Sequence, residues 1–125
     1  MALCTIVINT GANIDNTQKR QYLHGTLSIQ GSVYPAGGVP LDSVLLAFPG
    51  ITTLSGVARC VCMSDLGSGY IYQRIPSTGT LMILQVPPNG SLTTAAPLQQ
   101  IPSNTNMQGI NADVINFEAQ FIRNA

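Results

Sequence analysis

Cys60-Val61-Cys62 places two candidate metal ligands or nucleophiles two residues apart. In a strand that spacing puts both thiols on one face. With His24, the single histidine, they offer three donors of the kind a soft cation takes. The gap between them is one residue rather than the two typical of zinc sites, and no fourth ligand suggests itself. The other reading is that Cys4, Cys60 and Cys62 are apolar thiols, since free cysteine is among the most often buried residues. Burial is the reading adopted, so no metal site is expected.

Other chemistries fare no better. Nucleophilic catalysis needs a base within reach of Ser, Cys or Thr, and His24 stands among hydroxyl residues in an alternating segment, where a partly exposed polar position is expected. Glycoside hydrolysis needs two facing carboxylates. The acids Asp15, Asp42, Asp65, Asp113 and Glu118 fall mostly in expected loops or at strand edges, and nothing pairs two of them. Asp42 and Asp65, beside Ser43 and Ser64, read as turn or cap residues. One lysine, Lys19, and no glycine-rich phosphate cradle ending in lysine exclude a nucleotide-binding loop. Asn89-Gly90-Ser91 spells a glycosylation acceptor, but Asn-Gly is foremost a turn former. The chain is therefore expected to be no enzyme, with no catalytic residue, cofactor or metal.

The elements that would position any site are strands. Period-two alternation recurs along the chain, and helical periodicity is weak. Residues 3 to 9 form an apolar, β-branched run, and Gly11 to Gln18 turn polar and read as a loop or extended arm. In QYLHGTLSIQ, Leu23, Leu27 and Ile29 point one way, while Tyr22, His24, Thr26 and Ser28 point the other. The loop YPAGGVPLDSV follows. Its two prolines and paired glycines end one strand and re-aim the chain, and one helical turn fits after Pro40. In VARCVCMS, Val57, Arg59, Val61 and Met63 alternate with Ala58, Cys60, Cys62 and Ser64. Both faces are fairly apolar, which predicts a central strand. SDLGSG is a turn. GYIYQRI and GTLMILQV make a hairpin across Pro76-Ser77-Thr78, with Gly79 supplying a positive φ. Residues 87 to 109 are a long polar stretch expected on the surface or against a neighbour. The closing strand sets Ile115, Phe117, Ala119 and Phe121 against Asn116, Glu118 and Gln120. The pattern predicts an all-β fold, an antiparallel, jelly-roll-like β-sandwich with an N-terminal extended arm and long surface loops. Residues 1–20 form the arm or first strand, and 21–125 a single sandwich domain.

Charged residues make up only 8% of the 125-residue chain, against about 25% in an ordinary domain. Such a surface is either covered by partners or kept soluble by Ser, Thr, Asn and Gln, as in extracellular β-domains. Net charge is zero and Arg20, Arg59, Arg74 and Arg123 are scattered, which disfavours nucleic acid. LCTIVI is far too short for a membrane span or a signal-peptide core, and no membrane partner is expected.

Taken in order, SVYPAGGVPLDSV, GYIYQRIPSTGTLMIL, a long polar stretch and an alternating C-terminal strand resemble a family of small tailed-bacteriophage virion proteins. Tyr34, Pro35, Gly37, Gly38, Pro40 and Leu41 match the family's first motif. Gly69, Tyr70, Tyr72, Gly79, Leu81 and Ile83 match its hairpin, and the resemblance spans roughly residues 24 to 124. It departs at Gln73-Arg74, where the family is more acidic, and in the extension over residues 1 to 20. The resemblance implies a capsid decoration, or cement, protein made in the host bacterial cytoplasm. It would sit on the outer surface of the head, bound to the major capsid protein and to itself as a homodimer or homotrimer. The N-terminal segment would then add a strand to a neighbour's sheet edge. Two alternatives stand beside this reading. One is a tail or baseplate component; the other is a carbohydrate-binding β-domain using Tyr22, Tyr34, Tyr70 and Tyr72 as stacking faces.

Overall fold

The alternation at the C-terminal end organises the larger of two sheets. A computed structural model describes residues 3–52, 56–64, 69–85, 99–102 and 107–122. The chain runs β1 (Thr5–Ile8), β2 (Asn13–Asn16), β3 (Arg20–Gln30), β4 (Val39–Pro40), α1 (Asp42–Leu46), β5 (Val57–Ser64), β6 (Ile71–Ile75), β7 (Thr80–Gln85), β8 (Gln99–Gln100), α2 (Gln108–Asn111) and β9 (Ile115–Ile122). The first sheet has the order β1-β3-β9-β5, with β2 also on β3; the second is β4-β7-β6, with β8 also on β7. Every pairing between named strands is antiparallel. The two sheets pack face to face as a β-sandwich, as the alternation predicts. SDLGSG (for residues 65–68), Asn89-Gly90-Ser91 and Arg123 lie outside the described residues.

The core lies between the sheets. Leu23, Leu27, Ile29, Phe117, Ala119 and Phe121 come from the first sheet, and Val39, Tyr72, Leu81 and Ile83 from the second. Each large apolar side chain buried there contributes about 2 kcal/mol. Of the stretch 87 to 109, expected on the surface or against a neighbour, residues 87–98 and 103–106 lie outside the described residues. Ile101 and Met107 within it are buried, as is Ile110 just after it, because isolated apolar residues in a polar segment still reach the core when short elements anchor them.

The N-terminal segment pairs within its own chain. β1 pairs with Leu27–Gln30 and β2 with Gln21–His24, both along one edge of β3. Of the two readings of residues 1–20, an arm or a first strand, the described residues take the second and form strands of the chain's own sheet. Ile6 is buried against the chain's own core, which a free arm would forgo. The passage from β1 to β2 lies across Gly25. A Cβ there would come within 2.8 Å of the Ala12 Cα, so glycine in mid-strand admits the crossing chain.

The loop after β3 clasps the second sheet. Pro35 C=O accepts the Gly38 N–H at 3.1 Å, with Gly37 at φ +87°, the third position of a type II turn. A Cβ on Gly38 would stand 2.8 Å from the Leu81 carbonyl oxygen, so that glycine serves close backbone approach. Tyr34 is 1% exposed. Its hydroxyl accepts the Ile83 N–H at 3.3 Å and the Gln100 Nε2 at 2.6 Å. Since β4 pairs with β7 only at Leu81 and Thr80, and β8 only at Leu84 and Gln85, the phenol fills the gap between two short edge strands. At the hairpin, Gly79 has the expected positive φ of 66°, and its carbonyl accepts the N–H groups of Leu41 and Asp42.

β5 is an edge strand among the described residues, pairing with β9 alone, which corrects its expected central place. Its register shifts between Val57 and Arg59, so Ala58 is the extra residue of a β-bulge. Val57 thereby joins Cys60 and Cys62 on the inner face instead of following Arg59 outward. The apolar residues on its other face, Val61 and Met63, are exposed at 49% and 68%.

Candidate functional site

β5 aims Cys60 and Cys62 inward, opposite Ala119 and Phe117 of β9. Their Sγ atoms are 3.9 Å apart. The contact with Cys62, followed by burial, pushes the Cys60 thiol well above its ordinary range, which holds it protonated. Burial likewise raises Cys4. Cys4 is buried as expected, whereas Cys60 and Cys62 are half-buried. His24 stands on the other face of the same sheet, opposite Asn13 and Glu118, so the sheet separates it from both thiols. Among the described residues no three acidic, His or Cys side chains come together as a metal site would require.

The carboxylates have separate environments. The Asp15 Oδ2 meets the His24 Nε2 at 2.8 Å on the surface. Asp42 lies in the first turn of α1 but makes no cap hydrogen bond, which corrects the turn-or-cap reading. It instead receives Arg74 Nε and Nη2 at 2.8 and 2.7 Å, a bidentate pair. The Arg74 side chain is 8% exposed and also donates to the Val57 carbonyl, so one guanidinium joins α1, β6 and the bulged start of β5. Asp42 raises the pKa of Arg74 further. Asp113 is buried and accepts the Ser64 hydroxyl at 2.8 Å and the Tyr72 hydroxyl at 2.7 Å. Its hub position was invisible in the sequence, because both partners stand more than forty positions away. Gln21, also buried, holds Asn16, Gly50 and Thr52. These polar groups cross-brace loops and strands.

The tyrosines divide in the same way. Tyr34 and Tyr72 are 1% and 4% exposed and cannot offer faces to a sugar. Tyr22 and Tyr70 are half-buried.

The outer face of the first sheet is accessible, as is that of β6 at Ile71 and Gln73. Tyr22, His24, Thr26 and Ser28 of β3 lie beside Asn116, Glu118 and Gln120 of β9, and these beside Arg59, Val61 and Met63 of β5. A shallow groove of about 500 Å³ runs along the β5–β9 part, lined by Arg59, Val61, Met63, Asn116, Glu118 and Gln120. The groove thus presents two amide side chains, the exposed Val61 and Met63, and one charge of each sign. Among the described residues no helix is long and apolar enough to cross a membrane, which leaves β-barrels untouched. Comparison with protein-family models, with curated proteins and with solved structures finds no match to this chain.

Proposed function

We propose that this chain is a virion structural protein, a decoration protein that binds the outer surface of an assembled tailed-phage head and stabilises it without chemistry. The observation that carries this reading is how few charges the folded exterior keeps. Arg74 and Asp113 are drawn inside and Asp42 is half-buried. Asp15, Lys19, Arg20, Arg59 and Glu118 are the charged side chains left exposed among the described residues. A protein that remains alone in water gains from a charged surface, whereas one that covers a repeating lattice gains from broad uncharged contact multiplied over copies. Sandwich architecture and the resemblance of the Tyr34–Leu41 and Gly69–Ile83 segments to small virion proteins support the same reading. Binding only the assembled state would stabilise the shell by mass action.

The test mixes the purified chain with stripped mature heads of a phage that encodes it. We expect saturable co-sedimentation and a raised temperature of shell disruption. Heads that take up no protein, or labelled protein found only on tails or baseplates, would overturn the head assignment. Binding to a glycan array that requires Tyr22 or Tyr70 would favour the carbohydrate reading instead.

A further inference from the structure

The β5–β9 part of the outer face departs from the usual rule for a solvated sheet surface, in which outward residues are polar. Val61 and Met63 are successive outward positions on an edge strand, and both are largely exposed. Arg59 and Glu118 flank Val61. The register sets Val61 opposite Glu118 and Arg59 opposite Gln120, so Arg59 and Glu118 are diagonal neighbours on one face. Neither makes an ion pair among the described residues. Two of the five exposed charged side chains described thus lie on this patch, with opposite signs, around an apolar centre.

We propose that this patch is a two-fold self-association surface whose occupant is the same patch of a second copy. In an isologous contact, each residue at one side of the axis meets its counterpart's partner at the other. A two-fold axis lying in the face between Arg59 and Glu118 brings Arg59 of each copy onto Glu118 of the other. The same rotation returns Val61 close to the Val61 of the second copy, so the apolar centre is covered as the charges are paired. The charge pattern is therefore complementary to itself, and an unrelated partner would have to reproduce it. Size sets the strength. Two strands at about 4.8 Å spacing and eight residues at about 3.4 Å give the patch roughly 260 Å², so the contact belongs with weak, transient interfaces. Zero net charge leaves little long-range repulsion against association.

This inference is independent of the head-binding reading, since it concerns the protein in solution. The experiment is sedimentation velocity and native mass spectrometry of the full chain from about 1 μM to about 100 μM, the range of an interface of this size. A monomer–dimer equilibrium is expected. Arg59→Glu and Glu118→Arg, each placing like charges opposite one another, should weaken it by about tenfold or more. The double variant Arg59→Glu/Glu118→Arg should regain it, and Val61→Asp should abolish it. Circular dichroism checks that each variant is folded, and all three positions are exposed edge or surface sites. A chain that stays monomeric throughout overturns the proposal, as does a trimer or a dimer indifferent to either single reversal. Failure of the double variant to recover association overturns the reciprocal pairing. Head co-sedimentation is scored separately, so loss of one result leaves the other readable.

Discussion

Tyr34 shows how one side chain can belong to a motif and still serve the fold. Its hydroxyl satisfies the Ile83 N–H and the Gln100 amide at the point where β7 has neither β4 nor β8 beside it. Removing it leaves a buried backbone donor without its acceptor, which costs more than the bond's net contribution. Tyr34→Phe is therefore expected to lower unfolding stability by about 1–3 kcal/mol, read as a shift of the urea midpoint at unchanged slope. Tyr22→Phe, on the half-buried outer face, should stay within about 0.5 kcal/mol. Equal effects would show that the phenol is not the link between the short strands. The Arg74–Asp42 pair is of the same kind: two ionic groups drawn inward to join α1, β6 and β5.

The first two strands are the element on which expectation and structure part most. An apolar run followed by a polar Gly/Asn stretch suits a donated arm, yet β1 and β2 cover the edge of their own β3. Intrachain pairing avoids the entropic cost of association, and Ile6 finds a pocket within its own core. Ile6→Ala should accordingly cost about 2–4 kcal/mol in chemical denaturation at protein concentrations low enough to exclude oligomers. An unchanged midpoint there would restore the donated-arm reading. The β5 bulge is the second such element. Alternation in VARCVCMS reads correctly from Arg59 onward, but the extra residue at Ala58 reverses the side on which Val57 lies. Nothing local marks it, because the bulge is a property of the pairing with β9.

At the scale of the whole molecule, charge is withdrawn and thiols are kept neutral. The folded chain holds protons on Cys60 and Cys4 that the unfolded chain releases near the ordinary thiol value of 9.0. With folded values raised, the folded state binds more protons in that window, so stability is full below 9.0 and falls as pH rises above it. Denaturation midpoints measured on both sides of that value should show this decline, and Cys60→Ala should flatten it. A profile identical in the variant would assign the alkaline loss to other groups.

Local pattern was enough for the strand at Ile115–Ile122, the hairpin turned by Gly79, the half-buried face of β3 and the all-β class, because period-two burial is written residue by residue. The same holds for the poverty of charge, which is composition. Tertiary structure alone decided that β5 lies at an edge, that residues 5–16 fold home, that Asp113 gathers Ser64 and Tyr72, and that His24 is parted from Cys60 and Cys62 by the sheet. Each of these depends on which distant strand sits alongside, and the free energy that selects a neighbour comes from packing and hydrogen bonds between segments far apart in the chain.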